Sequence, residues 1–324
     1  MCKKVIQWGY EYLTAHGYTL KSHLPETVKN SPWSYVVRFA TSAGNIYLKH
    51  TPPLLALESA IIQTLHNQFH ADVPTVIAQN TDLQCFLMKD AGIPLREILK
   101  QQFDAALLLK SIDQFTSLQI TVADHLNVFL DMGVPDWRLE KIPDLYIKLL
   151  DQKALLSAEG VSEKELSELI NLLPLVNELC RKLLGYAIKP SIVQPDFHDN
   201  NILMSKSLQK ITFIDLGEIV ISSPFFSLTG FLEQVKRHHG LAEKDEKYQQ
   251  LVDACLKNFR EFESEKRLLE AFELTRLLHF PYSVLCRGRL SIACGQDTLI
   301  KFHPWKFNII LRNFIRDCKT ISIG

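Results

Sequence analysis

Apolar β-branched and aromatic residues gather in two short stretches, YVVRFA at 35–40 and NIYLKH at 45–50. Such runs read as strands, and Thr41-Ser42-Ala43-Gly44 between them supplies a hairpin loop. Pro52-Pro53 then opens a stretch in which Leu54, Leu57, Ile61, Leu65 and Phe69 share one helical stripe. A third strand is expected at 85–88, followed by Lys89-Asp90-Ala91-Gly92 and Pro94, which read as a linker. From Leu95 the period changes. Helical spacing runs through 95–130, 140–152, 162–185, 225–238, 245–263, 265–290 and 304–319, and only 191–221 interrupts it with strand-like pieces, one at 211–214. The pattern predicts an α+β, bilobal chain. Residues 1–90 would form a small antiparallel-sheet lobe and 91–324 a large, mainly helical lobe.

The interruption carries the chemistry. SIVQPDFHDNNILM, from Ser191 to Met204, sets Asp, His and Asn between two apolar runs that look like buried strand ends. Asp196 and Asn201 are five residues apart, and Asp215 follows in ITFIDLGE, at the end of a strand and two residues before Gly217. Phosphoryl transfer needs such a set. One acid orients a hydroxyl and accepts its proton, while an amide oxygen and a second carboxylate suit Mg²⁺. A cation for nucleotide phosphates is also required, and Lys49 at the end of the second strand is the candidate. Glu58 falls on the apolar stripe of the helix after Pro53. A carboxylate there is costly unless paired, and Lys49 is the expected partner.

Composition narrows the classes without naming one. The 324 residues hold 36 Lys+Arg and 36 Asp+Glu, and 47% are apolar. That balance gives no whole-chain field favouring nucleic acid or an anionic membrane. No apolar run reaches membrane-spanning length, and the first twenty residues lack the apolar core of a secretory signal. The 7 cysteines are scattered with no C-x-x-C, so reduced thiols and a cytoplasmic location are expected. A metal-dependent hydrolase built on Asp196, His198, Asp199 and His238 or His239 finds no H-E-x-x-H or H-x-H cluster.

With these residues in view, the chain resembles the aminoglycoside phosphotransferase and choline kinase-like family, whose fold is that of protein kinases. The family's catalytic segment runs H-G-D-x-H-x-x-N-I-L, and VQPDFHDNNIL keeps Asp196, His198, Asn201, Ile202 and Leu203. Its metal segment runs I-D-[WF]-G-[DE], and FIDLGE keeps Asp215, Gly217 and Glu218. The resemblance implies an ATP- and Mg²⁺-dependent kinase acting on a hydroxyl of a small molecule, with no nucleic-acid or membrane partner. Asp196 would be the base and Asn201 with Asp215 the Mg²⁺ ligands. Lys49, paired with Glu58, would meet the ATP phosphates, and the backbone at Met88, Lys89 and Asp90 would receive the adenine. His198 would brace the loop.

Two departures stand out. Gln194-Pro195 replaces His-Gly ahead of the base, and Asn30-Ser31-Pro32-Trp33-Ser34 stands where a glycine-rich phosphate loop is expected. Ser31 and Ser34 are the groups left there to offer hydroxyls to phosphate. The departures motivate a second reading, a pseudokinase-like protein that binds nucleotide or a partner without turnover. The acceptor and the oligomeric state are not set by the sequence.

Overall fold

The computed structural model describes residues 2–22, 24–205, 207–302 and 306–321. Residues 304 and 305, which begin the helical stretch expected at 304–319, lie outside them. The chain forms two compact units, Met1–Glu97 with Asn200–Glu218, and Ile98–Asp199 with Ile219–Gly324.

In the first unit, β1 (Glu26–Ser31), β2 (Ser34–Thr41), β3 (Gly44–His50), β4 (Val76–Asn80) and β5 (Cys85–Lys89) form one sheet in the order β1-β2-β3-β5-β4. All pairs are antiparallel. The alternation in β2 and β3 splits the sheet into two faces. Val37, Phe39, Ile46, Leu48, Cys85 and Leu87 form a core with Val5 and Leu13 of α1 (Cys2–Ala15). The opposite face carries a cross-strand row in which Lys29, Val36, Lys49 and Phe86 are register partners.

Pro53–Leu55 forms a 3₁₀ turn, and α2 (Glu58–Phe69) begins only after it. The tighter turn moves the stripe. Leu54 is exposed while Leu55, Glu58, Ile61, Ile62 and Leu65 are buried.

A second, three-stranded sheet belongs to this unit: β6 (Ile93–Pro94), β8 (Ile202–Met204) and β9 (Ile211–Phe213), in the order β6-β8-β9. It carries residues 91–97 and 200–218 into the first unit, whereas the sequence pattern puts the break near residue 90. Gly92 makes the junction possible. Its φ is +127°, and a Cβ there would lie 2.0 Å from the Met204 carbonyl oxygen.

The second unit is mainly helical. Its helices are α3 (Leu95–Gln101, which begins in the first unit), α4 (Ala105–Val122), α5 (Asn127–Met132), α6 (Ile142–Leu150), α7 (Lys153–Ala158), α8 (Glu163–Asn171) and α9 (Leu173–Leu183). After the strands come α10 (Phe225–His239), α11 (Glu246–Lys257), α12 (Glu265–Cys294), α13 (Gln296–Phe302) and α14 (Lys306–Ile321). A two-stranded ladder of β7 (Ser191–Val193) and β10 (Val220–Ser222) is buried at every residue. Buried Gln119 of α4 ties it down, donating to the carbonyls of Ile192 and Pro224 and accepting at its own carbonyl from Ser191 Oγ. Phe226 stacks on Tyr282 at 4.3 Å between ring centroids, joining α10 to α12.

Among the described residues no helix is long and apolar enough to cross a membrane. Cys85, Cys180 and Cys255 are buried free thiols.

Candidate active site

In the first unit, three charges meet beneath the sheet. Lys49 projects from β3 between Val36 and Phe86. Its ammonium donates to Glu58 Oε1 at 2.8 Å and to Asp215 Oδ1 at 2.5 Å. Lys49 and Glu58 are 4% and 2% exposed, so each needs the other. Burial pulls the Lys49 pKa down, but the Asp215 and Glu58 carboxylates outweigh it and hold the ammonium above the ordinary lysine value. The nine-residue separation of Lys49 and Glu58 is spanned by the 3₁₀ turn, which starts α2 with Glu58 in its first turn.

Glu58 also receives the backbone N–H of Leu216 at 3.1 Å. The backbone at Leu216 therefore lies against α2. Gly217 suits that approach, because a Cβ would stand tightly at 3.0 Å from the Leu55 carbonyl and 3.2 Å from Glu58 Oε2.

The hairpin of β8 and β9 aligns Asn201 with the residue before Asp215. Ile202 pairs with Phe213, and one step further the Ile214 N–H donates to the Asn201 carbonyl at 3.0 Å. Asp215 then leaves the strand with φ +63°, a left-handed conformation uncommon for an aspartate. Burial raises its pKa, but Lys49 and Lys29 outweigh this and hold the carboxyl well below the usual range. One ammonium sits on each oxygen, with Lys29 at 3.3 Å from Oδ2. A carboxylate and an amide oxygen at one hairpin end are hard oxygen donors of the kind Mg²⁺ selects, and Asp215 already attracts two positive charges. The residues fit that ion. Among the described residues no three His, Cys, Asp or Glu side chains gather as a metal site.

The loop bearing Asp196 belongs to the second unit, and its chain passes into the first through the 3₁₀ turn Asp199–Asn201. Asp196 is exposed, with His198 Nε2 at 3.1 Å from its Oδ1, so His198 braces the acid itself. The loop has anchors that no motif announces. Ser227 of α10 bonds both backbone groups of Gln194, accepting from its N–H at 2.8 Å and donating to its carbonyl at 3.0 Å. Phe197 stacks between Phe115 at 4.0 Å and Phe231 at 5.0 Å. Asp199 and His239 form a buried pair at 2.7 Å. Gln194-Pro195 is thus held by α10 and an aromatic sandwich.

The segments expected to meet a nucleotide differ from expectation. The β1–β2 connection is a tight turn in which Ser31 Oγ donates to the Ser34 carbonyl at 3.1 Å. The Ser34 side chain is turned inward and only 2% exposed. Neither serine therefore presents its hydroxyl for a phosphate as the sequence suggested. At the linker, the Lys89 and Asp90 N–H groups donate to the carbonyls of Thr75 and Asn45, at 3.0 and 3.2 Å. Those two amides are engaged within the unit, and Met88 lies inside β5, paired to both neighbouring strands. Lys29 is the charged residue that sequence reasoning missed.

None of the family models matches the sequence, and neither does any curated protein. Solved structures do match. A choline kinase from Cryptosporidium parvum Iowa II aligns with TM-score 0.61 at 13% identity, covering 92% of this chain and 90% of that one. An aminoglycoside 2'-phosphotransferase-IIIa in its GDP complex aligns with TM-score 0.60 at 13% identity, covering 97% and 99%. An amicoumacin kinase in complex with AMP-PNP, Ca²⁺ and Ami aligns with TM-score 0.57 at 14% identity, covering 96% and 100%. The five-stranded antiparallel sheet followed by a mainly helical part is the kinase-like fold shared by aminoglycoside phosphotransferases and choline kinases.

Proposed function

We propose that this chain is a small-molecule kinase that moves the γ-phosphoryl group of ATP to a hydroxyl group. The observation that carries the reading is the buried Lys49–Glu58 pair with Asp215 on the same ammonium. Its support is a fold shared with solved small-molecule phosphotransferases, some of them bound to GDP or AMP-PNP. A buried ion pair contributes little to stability by itself, so a third, strained and partly exposed carboxylate on the same lysine favours a functional account.

In this reading Asp196 orients the acceptor hydroxyl and takes its proton, and His198 holds that carboxylate in position. Lys49 is kept charged by its two carboxylates and directed by Glu58 toward the phosphates. Asn201 and Asp215 would hold Mg²⁺, which when bound supplies charge neutralisation for the phosphates. The chain's contribution is placement and fixed charge. Ser227, Phe197 and the Asp199–His239 pair stiffen the loop that carries the base, replacing the absent His-Gly brace.

The test is nucleotide consumption with Mg²⁺ across a panel of hydroxyl-bearing antibiotics, aminoalcohols and sugars, with ATP and GTP as donors. At least one acceptor should become phosphorylated by the wild type, and Asp196→Asn should lower that rate at least about a thousandfold. Nucleotide binding without transfer to any acceptor would favour the pseudokinase-like reading.

A further inference from the structure

Lys29 and Lys49 lie in one cross-strand row, on the same face of the sheet, with Val36 between them. They share Asp215, one on each carboxylate oxygen. Lys29 reaches that face because β1 is irregular. Thr27 pairs with Val37 and Lys29 with Val36, so Val28 is an extra residue without a partner position. In an unbroken ladder Val28 would oppose Val36 and Lys29 would point to the other side, since side chains alternate along a strand. The bulge turns the lysine onto the face that carries Lys49. Val28 itself is left 51% exposed.

The turn that follows makes such a cation necessary. Pro32-Trp33 joins β1 to β2 without a glycine, Ser31 is spent inside the turn and Ser34 points inward. Proline also has no N–H to give. A turn so built cannot wrap a phosphate with amide groups, yet a triphosphate carries several charges that must be met.

We propose that Lys29 is a second phosphate-binding residue, contacting the β- and γ-phosphates of a nucleoside triphosphate beside Lys49. The assignment rests on the phosphotransferase reading. Unlike Lys49, whose side chain is 5% exposed, Lys29 is 41% exposed and free to exchange its carboxylate partner for a phosphate oxygen. A four-carbon stem with a rotatable ammonium suits that exchange. Without nucleotide it neutralises Asp215, and with Mg²⁺ on Asp215 it is displaced toward the phosphates.

Equilibrium titration with Mg²⁺–AMP-PNP and with AMP, on wild type, Lys29→Gln and Lys29→Arg, tests this. Lys29→Gln should weaken AMP-PNP about tenfold while AMP stays within about twofold, and Lys29→Arg should keep AMP-PNP within about threefold. Melting without nucleotide should be nearly unchanged in both variants. Wild-type affinity for AMP-PNP in Lys29→Gln overturns the assignment, as does an equal loss for AMP and AMP-PNP or an equal loss in Lys29→Arg. A wild type that binds neither AMP-PNP nor guanosine triphosphate analogues defeats the phosphotransferase reading itself, and this assignment with it.

Discussion

Each unit buries charge, and the two do so to different ends. In the second unit, Arg287 of α12 meets Glu159 at 3.3 Å, with side chains 7% and 0% exposed. The same guanidinium donates to the Leu299 carbonyl of α13, so it ties helices together. In the first unit, Lys49 and Glu58 are buried as deeply, but the lysine also holds Asp215, which is 16% exposed and sits at a left-handed backbone angle. Burial alone does not separate the two. What separates them is a third group that reaches solvent under strain, because a purely structural pair needs neither exposure nor strain.

Substitution can break this contrast. The largest expected effect is on Asp215→Asn, which should lower phosphoryl transfer at least about a thousandfold, or roughly 4 kcal/mol of barrier. Its melting temperature should move by only about 2–4 °C, since Lys49 keeps Glu58. Arg287→Met should behave oppositely. It leaves Glu159 buried without its cation and should cost about 3–5 kcal/mol in denaturant unfolding, while nucleotide affinity stays at the wild-type value. Loss of nucleotide binding in folded Arg287→Met would erase the distinction between the pairs.

A half-buried histidine extends the contrast to pH. His279 of α12 accepts or donates to Thr229 Oγ1 at 3.0 Å, and burial lowers its pKa to about 4. The unfolded value is near 6.5, so between the two the unfolded chain binds more protons. The stability His279 contributes is complete above about pH 6.5 and is lost as pH falls toward 4, by on the order of 3 kcal/mol. His279→Gln should flatten that part of a stability-versus-pH curve. An unchanged slope would show that the histidine is not held neutral.

The smallest effects fall on the brace of the Asp196 loop. Ser227→Ala removes both bonds to the Gln194 backbone and should cost about 1–3 kcal/mol. Gln194→His should change turnover less than about tenfold, because Ser227 and Phe197 already hold the loop. A much larger gain would mean that the brace is defective.

These residues also show where sequence reasoning reached and where it stopped. Lys49 and Glu58 were legible because a carboxylate on an apolar stripe demands a cation, and the nearest stood at the end of a clear strand. The spacing of Asn201 and Asp215 carries over into the structure as one end of a short hairpin. The role of Lys29 was not legible. ETVKNS shows no alternation, and its bulge reverses the facing that a strand would assign. Ser227 and Phe197 depend on partners tens of residues away, which no local pattern reports. Leu54 was misplaced because a 3₁₀ turn shifts the stripe before the α-helix begins.

In the proposed kinase, Asp215 is the ligand that would make nucleotide binding depend on Mg²⁺. Thermal unfolding with saturating ATP, with and without Mg²⁺, on wild type and Asp215→Asn tests it most directly. At a hundred times Kd the wild type should gain about 2.7 kcal/mol from Mg²⁺–ATP, and the Mg²⁺-dependent part of that gain should vanish in Asp215→Asn. An Asp215→Asn protein that keeps the full Mg²⁺-dependent gain would contradict the account.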